Sequence, residues 1–264
     1  MGSIETIRII LQKEWWELRR ERSLLLTLFA FPLFLTVLAI GVTFAVGLVP
    51  DEETALLGAA TADPALAGLS LEQLGQAIMG RQFSLLFLIV PMFLPSLLAA
   101  YSIVGEKNRR TLEPLLATPV RDWELLFAKS LGSLLPPLLM TWGCALIFAL
   151  AVPLVTLTPE IAALIITPAW ITMLLLCSPL LALIAVAVSV LVSARVNDPR
   201  TAQSLTGVLV VPFLMLFFSQ LIGLVVINPG FVVVLALGLV PLAGLSVWGA
   251  AQLFQRERIL TRWR

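Results

Sequence analysis

Residues 201–255 are TAQSLTGVLVVPFLMLFFSQLIGLVVINPGFVVVLALGLVPLAGLSVWGAAQLFQ, a run of 55 residues without lysine, arginine, aspartate or glutamate. A membrane-spanning helix needs about 20 predominantly apolar residues. The run is therefore long enough for two spans, and the turn-forming tripeptide Asn228-Pro229-Gly230 predicts the break between them. This stretch predicts a helical hairpin that crosses a membrane twice.

Apolar stretches elsewhere in the chain bring the number of predicted spans to six. The whole chain is 59% hydrophobic and 12% charged, whereas a soluble domain carries about 25% charged residues. Pro91 and Pro95 predict a kink in the second span, which a membrane helix tolerates. The sequence predicts an all-α membrane protein with a single transmembrane domain over residues 1–264. The predicted spans are residues 24–49, 83–104, 131–155, 169–194, 204–227 and 231–253.

The basic residues are confined almost entirely to four short segments between these spans. A charge costs roughly 2.5–3.5 kcal/mol at the centre of a membrane helix, and basic loops collect on the cytoplasmic side. Arg81 alone among 17 lysines and arginines lies outside the four segments. With six spans, both termini and the loops after spans two and four are predicted to be cytoplasmic, in a plasma membrane or a bacterial inner membrane. The four segments are residues 8–22, 107–129, 195–200 and 256–264.

Two short helices are predicted to lie beside the membrane core rather than across it. Apolar residues recur every three or four positions in residues 1–23, which predicts an amphipathic interfacial helix with Trp15 and Trp16 as anchors. The alternative is an ordinary helix packed on protein. On the outer side, Ser70 and Gln73 have the spacing of a capping box, and the helix they begin is predicted to lie on headgroups or cover span ends. The N-terminal apolar positions are Ile4, Ile7, Leu11, Trp15 and Leu18.

Several classes of chemistry are disfavoured by the residues that the sequence lacks. The chain has no histidine and no GxxxxGK[ST] phosphate-binding motif, and Cys144 and Cys177 lie in apolar stretches. We therefore predict no catalytic residue, no metal site and no cofactor bound by this chain. The predicted span cores carry no charged side chain, which argues against proton coupling. Energy for vectorial work is expected to come from a partner at a cytoplasmic surface.

The loop after span two, residues 105–129, is GEKNRRTLEPLLATPVRDWELLFAK. Its pattern predicts a short helix with a leucine stripe, a Thr-Pro turn and a re-entering helix capped by Asp122. A short helix held between two spans can transmit a push from a docked partner. The alternative is a solvated loop whose leucines touch the chain's own spans.

The stretch E-K-x-x-x-T-L-E-x-L-L-A-T-P-V, followed by E-L-L and Lys129, resembles the cytoplasmic loop motif of type-2 ABC transporter permeases. Pro114 departs from the more usual helix former in that motif. The resemblance covers the whole chain and implies that this loop is a coupling helix seated in a separate ATP-binding subunit. That subunit would bind ATP and Mg²⁺, and two six-span units would work with two ATPase subunits.

The resemblance also implies docking positions on two cytoplasmic loops. A docking face would be formed by part of the first loop, with arginines at its rim, and the second loop would add a smaller contact. The docking face would comprise Glu106, Thr111, Leu112, Glu113, Leu115 and Leu116, with Arg109, Arg110 and Arg121 at the rim. The second contact would comprise Arg195, Asn197, Asp198 and Arg200.

Cargo in such a pair would pass along faces of spans two and five. Phe213, Phe217 and Gln220 follow helical spacing and can share one face, and an amide in hydrocarbon needs a partner helix or a wet cavity. The alternative is that these are helix-packing or lipid-facing groups. The candidate path residues are Phe87, Ser96, Phe213, Phe217 and Gln220.

The predicted function is that of a permease subunit exporting a hydrophobic or amphipathic substrate. Three alternatives stay open on the sequence. One is a membrane component that uses an ATPase for signalling or assembly, although only residues 50–82 are available for an outer domain. Another is a secondary carrier or channel that needs no ATPase, and a third is an exporter of haem or of a cofactor precursor. The cargo, the direction of transport, and homodimer against heterodimer are not determined by the sequence.

Overall fold

The computed structural model describes residues 3–48, 66, 68–108, 121–193, 195–196 and 198–253, with the side chains of 106–108 and 122 left out. These residues form ten α-helices, and no strand occurs among them. The helices are α1 Ser3–Arg20, α2 Arg22–Val46, α3 Leu71–Ser84, α4 Val90–Asn108, α5 Asp122–Val155, α6 Pro159–Ile165, α7 Pro168–Ser193, α8 Pro199–Thr206, α9 Val210–Leu221 and α10 Pro229–Leu253.

Six helical segments in this described part are long and apolar enough to cross a membrane, which confirms the predicted all-α fold with six spans. Some of the ten helices join end to end, so that α3 and α4 form one span, α6 and α7 another, and α8 and α9 a third. The segments are Arg22–Val46, Leu71–Gly105, Trp123–Val155, Pro159–Ser193, Pro199–Leu221 and Pro229–Gln252.

The second span is the central helix of the bundle. Of its most apolar window 78% is buried within the chain, against 11% for the fifth span and 17% for the sixth. The helix α4 packs against α5 and α7, while α10 packs mainly on α7 and α2 packs on α3 and α5. The fifth and sixth spans therefore leave broad apolar faces for lipid or another chain.

The second span is interrupted just before its first proline, in line with the predicted kink. Residues Leu85–Leu88 form a 3₁₀ turn between α3 and α4. Pro91 has no N–H to donate to the carbonyl of Phe87, and its ring crowds that carbonyl, so the regular α-helical pattern cannot continue through this point. Ile89 instead donates to Leu86 at 3.0 Å and Met92 to Ile89 at 3.1 Å. Both bonds join residues three apart rather than four, as in a 3₁₀ turn. Pro95 lies inside α4.

The predicted capping box at the start of α3 is confirmed. The Ser70 hydroxyl accepts from the Gln73 N–H at 3.3 Å, and the Gln73 side chain accepts from the Ser70 N–H at 3.1 Å. Of the two predicted positions for α3, on headgroups or over span ends, its contacts favour the second, since Gln76 binds the ends of two spans. The helix continues into the second span and packs against α2 and α6.

One buried amide in α3 ties the ends of the first and third spans together. The Gln76 side chain is fully buried and donates to the carbonyls of Thr43 at 2.9 Å and Val155 at 3.2 Å, and it accepts from the N–H of Leu157 at 2.9 Å. The two carbonyls belong to the last turns of α2 and α5, where helix carbonyls have no intrahelical partner. Gln76 therefore supplies the missing partners at two helix ends.

Several span boundaries differ from the sequence predictions, and two of them have a local cause. Glu160 lies in the first turn of α6 rather than in a short turn, because Pro159 at the first helical position starts a new helix. The fifth span ends at Leu221 rather than residue 227, because Gly223 has φ of 74° and Leu224 donates to the Ser219 carbonyl at 2.9 Å, as in a Schellman cap. The predicted break at Asn228 does occur, and its side chain caps α10 through the N–H of Phe231 at 2.8 Å.

The N-terminal helix α1 buries only part of the apolar stripe that the spacing indicated. Its buried residues are Ile10, Glu14 and Leu18, whereas Ile4 and Trp15 remain exposed. A glycine on α5 accounts for this: a Cβ at Gly132 would lie 3.1 Å from the Glu14 Cβ, so the two helices approach closely at these two residues. The exposed apolar residues of α1 are left for another surface.

The helix that re-enters the bundle after the first loop begins one residue earlier than predicted. Arg121 occupies the N-cap position of α5, and Asp122 is the first helical residue, so the prediction of Asp122 as the cap is wrong. The N–H of Arg121 donates to the Glu124 carboxylate at 3.1 Å. Glu124, three residues after the N-cap, thus satisfies the N–H of the N-cap residue, which is one half of a capping box.

Candidate coupling interface and transport path

The predicted docking loop leaves and re-enters the bundle between two helices that pack against each other. The helix α4 ends at Asn108 and α5 begins at Asp122, so both ends of the loop are fixed at one end of the bundle. Glu106 lies in the last turn of α4, and Arg121 is exposed at the start of α5. The side chain of Glu106 and the residues Arg109, Arg110, Thr111, Leu112, Glu113, Leu115 and Leu116 lie outside the described residues.

A buried ion pair lies close to this loop, and the sequence analysis did not predict it. Lys129 Nζ donates to Glu14 Oε1 at 2.8 Å and to Ser102 Oγ at 2.9 Å, while Ser102 Oγ donates to Glu14 Oε2 at 2.9 Å. The side chains of Lys129 and Glu14 are 3% and 9% exposed. A signal was present in the sequence, because Glu14 follows Ile7 and Ile10 at helical spacing and precedes Leu18, and a charge within such a stripe needs a buried partner.

The second predicted contact is exposed where the structure describes it. Arg195, Asp198 and Arg200 are exposed, and Asn197 lies outside the described residues. The Asp198 carboxylate caps α8 by accepting from the Thr201 N–H and the Thr201 hydroxyl, both at 2.9 Å. These hydrogen bonds, the backbone one first, lower the pKa of Asp198 below its ordinary value. The cap therefore contributes stability above the ordinary aspartate pKa and loses it as the pH falls through the lowered value.

The two candidate path residues on the second span lie inside the chain. Phe87 is fully buried in a cluster of three rings, with ring centroids 5.3 Å from Phe148 and 6.3 Å from Trp170. Ser96 is 3% exposed and donates to the Phe93 carbonyl at 2.8 Å, and its own carbonyl accepts from the Ser189 hydroxyl at 2.9 Å. Both residues hold helices of this chain together.

The three candidate path residues on the fifth span lie on one helix, as their spacing predicts. Phe213 is buried, and its ring lies 6.2 Å from that of Phe217. Gln220 borders a cavity of about 70 Å³ and its buried Oε1 has no hydrogen-bond partner among the described residues. Gln82 on α3 donates to the Phe217 carbonyl at 2.7 Å, which joins the second and fifth spans beside this cavity.

The cavity combines apolar walls with a cation and two amides. Arg81, Gln82 and Gln220 supply the polar groups, and Trp170 and Met173 are among the apolar ones. Arg81 Nε donates to the Leu164 carbonyl at 2.6 Å, at the C-terminal end of α6. Arg81 is the one basic residue outside the charge pattern, and neither Arg81 nor Gln82 could be assigned a role from the sequence.

A metal site is not formed by the described residues, which contain no cluster of three or more histidine, cysteine, aspartate or glutamate side chains. Cys144 and Cys177 are both buried and free. They pack in the apolar core between α5 and α7 with Phe148 and Trp170. Both cysteines act as small core residues.

These features define a multi-pass membrane protein with six apolar spans and a charged loop between its second and third. A family model described as "ABC-2 family transporter protein" matches residues 8–241, so the chain belongs to the ABC-2 transporter family. It is thus a membrane component of the kind that works with an ABC ATPase subunit. A search of curated proteins found no match.

Proposed function

We propose that this chain is the permease subunit of an ABC exporter and moves a hydrophobic or amphipathic substrate outward, using ATP hydrolysed by a separate subunit. The observation that carries the proposal is the loop at residues 109–120, which is held at both ends by two packed helices, one of them the central helix of the bundle. A push on such a loop acts directly on the second and third spans. Membership of the ABC-2 family supports an ATPase as the source of that push.

In the proposed assembly, two six-span units pair and two ATP-binding subunits dock on their cytoplasmic loops. Closure of the ATPase dimer around ATP would draw the loops inward and reorient the spans. The exposed faces of the fifth and sixth spans are consistent with pairing, since residues such as Leu214, Met215 and Phe218 lie uncovered on α9. Both termini would be cytoplasmic, in a plasma membrane or a bacterial inner membrane.

Substitution of the loop leucines tests the docking proposal. In the variant Leu112→Arg/Leu116→Arg we expect recovery of a co-expressed ABC ATP-binding subunit with the tagged chain to fall to background, because two charges would replace an apolar docking stripe. Affinity purification followed by quantification of both subunits measures the recovery. The control is Leu224→Arg, which places a single arginine on an exposed residue in the turn after α9. Unchanged recovery in the loop variant would remove the docking assignment.

The cavity beside Gln220 supports an amphipathic substrate, because amides and a cation there lie among apolar walls. We expect Gln220→Leu to leave the chain as stable as the wild type or up to about 1 kcal/mol more stable, since the buried Oε1 lacks a partner and an unsatisfied group costs about 1–3 kcal/mol. Transport in vesicles containing the ATPase should nevertheless decrease.

Gln82→Leu is the matched variant for Gln220→Leu, because Gln82 donates a hydrogen bond to the Phe217 carbonyl. It should destabilise the chain, as it removes a side-chain hydrogen bond that joins the second and fifth spans. Thermal unfolding in detergent and a vesicle transport assay separate the two effects. If Gln220→Leu destabilised the chain and left transport unchanged, Gln220 would be a packing residue.

A further inference from the structure

The buried pair Glu14–Lys129 joins three helices rather than two. Each carboxylate oxygen of Glu14 binds a different helix: Oε1 accepts from Lys129 on α5 at 2.8 Å, and Oε2 accepts from Ser102 on α4 at 2.9 Å. The bond from Lys129 to Ser102, also 2.9 Å, closes the triangle. We call Glu14, Ser102 and Lys129 the polar triad. Through it α1 is attached to both α4 and α5.

The polar triad lies beside the ends of the docking loop. Ser102 precedes the end of α4 at Asn108, and Lys129 follows the start of α5 at Asp122, each by about two helical turns. The loop at residues 109–120 is therefore flanked on both sides by a helix that the triad holds. A displacement of the loop would reach Glu14 through both helices.

The triad packs against apolar side chains on one side, and on the other Glu14 and Ser102 border a cavity that is lined also by charged side chains. Ile10, Leu125 and Ala128 belong to one buried cluster at this contact. A buried ion pair is weak evidence for stability, because an apolar pair of similar volume is often as stable or more stable. Its best-supported use is to fix the register of packed helices. The triad fixes where α1 lies along α4 and α5.

The contact at Gly132 independently supports a fixed position of α1 on α5. A Cβ at this glycine would lie 3.1 Å from the Glu14 Cβ and 3.3 Å from its Cγ, closer than nearly all such contacts. One turn before Gly132 on α5 comes Lys129. The close backbone approach and the ion pair therefore act at the same point of α1.

The far end of α1 leads directly into the first span. Glu21 separates α1 from α2 with non-helical torsions, φ −89° and ψ 85°. A cavity of about 430 Å³ borders this junction and is lined by residues including Leu24, Leu98 and Tyr101. Space beside the junction allows the angle between α1 and α2 to change while α1 stays on the triad.

We infer that the polar triad makes α1 and the loop-bearing ends of α4 and α5 one rigid body, which passes the movement of the loop through Glu21 to the first span. Glu14, Ser102 and Lys129 are then positioning residues for ATP-driven transport. The inference rests on the proposed function, since it assumes that an ATPase moves the loop at residues 109–120.

Transport per ATP hydrolysed tests the role of the triad. In vesicles containing the chain and its ATPase, Lys129→Met should lower this ratio by about 2- to 30-fold, the range found for residues on a coupling network. Recovery of the ATPase should be unchanged, because the docking loop is intact. The charge-swapped variant Glu14→Lys/Lys129→Glu should recover part of the ratio, which a loss of packing alone would not allow.

The matched control is Lys13→Met, which also removes a lysine but breaks an exposed pair. Lys13 lies 3.3 Å from Glu17, and both side chains are more than a third exposed. This variant should keep the wild-type ratio. If Lys129→Met were stable and also kept the wild-type ratio, the inference would be overturned.

A distance measurement in a chain that keeps the polar triad intact avoids dependence on a triad variant that fails to fold. Spin labels at Ile9→Cys on α1 and Phe127→Cys on α5 occupy positions that are 47% and 51% exposed. Cys144 and Cys177 are replaced by alanine in this background, which is used once ATPase recovery is shown to be retained. The inference expects the same distance distribution without nucleotide and with ATP trapped, and a broadened one in Lys129→Met.

The outcomes separate this inference from the proposed function. If no ATPase is recovered with the wild-type chain, the proposed function itself fails. If the ATPase is recovered but the wild-type distance between the labels changes when ATP is trapped, α1 does not move with α5, and the inference alone is overturned.

Discussion

Phe148→Ala is expected to lower the free energy of unfolding by about 3 kcal/mol, the lower end of the range for such changes in cores. The ring is fully buried and packs against Phe87 and Trp170, with centroids 5.3 Å and 5.9 Å away. Inside a membrane the gain from leaving water is largely absent, because lipid is as apolar as the protein core. What is lost is packing: the alanine leaves a cavity that the neighbouring rings cannot fill.

Reversible unfolding in mixed micelles measures this change in free energy. Leu150→Ala serves as the control because it lies on the same helix with its side chain 67% exposed, and it should change the free energy by less than about 0.5 kcal/mol. Equal losses in the two variants would contradict the placement of the three rings at the centre of the bundle.

Gln76→Leu is expected to destabilise the chain by about 2 kcal/mol or more. The substitution removes the side-chain partner of three groups: the buried carbonyl of Thr43, and the partly buried carbonyl of Val155 and N–H of Leu157. Each buried group left unsatisfied costs about 1–3 kcal/mol. Leucine has a similar size, so loss of hydrogen bonding rather than loss of volume accounts for the effect.

The same unfolding measurement compares Gln76→Leu with Gln82→Leu, in which a single hydrogen bond, to Phe217, is lost. The effect at Gln76 should be clearly the larger. A smaller effect at Gln76 than at Gln82 would show that Gln76 does not hold the ends of the first and third spans.

The six spans were predictable because length and apolar composition alone decide them. The uncharged run of residues 201–255 is long enough for two spans, and its turn-forming sequence Asn228-Pro229-Gly230 marks where one span ends and the next begins. The capping box of Ser70 and Gln73 was predictable for a similar reason, since both partners lie within one turn of helix. Local signals of this kind do not depend on which helices become neighbours.

Contacts between helices distant in sequence were not predictable from spacing. The stripe of α1 suggested a face through Ile4 and Trp15, but the close approach of Gly132 selects the face with Glu14. Lys129 was placed in the loop, and nothing near it in the sequence identifies Glu14 as its partner.

Whether a candidate path residue faces the path or packs inside the chain also depends on contacts between helices distant in sequence. Phe87 is an aromatic on a span predicted to face the path, yet its neighbours Phe148 and Trp170 come from two other helices. Gln220 could be identified from the sequence because the free-energy cost of burying an amide in an apolar setting does not depend on which helices surround it. The docking residues from Arg109 to Leu116 lie outside the described residues and stay predictions.

The central claim is that a cytoplasmic ATPase subunit drives transport by this chain by binding to the loop between its second and third spans. A single cysteine at Leu116, in a chain with Cys144 and Cys177 replaced by alanine, tests it with a membrane-impermeant maleimide. The account predicts labelling in inside-out vesicles, none in right-side-out vesicles, and protection when the ATPase subunit is bound. Labelling in right-side-out vesicles, or labelling that the bound ATPase does not reduce, would contradict it.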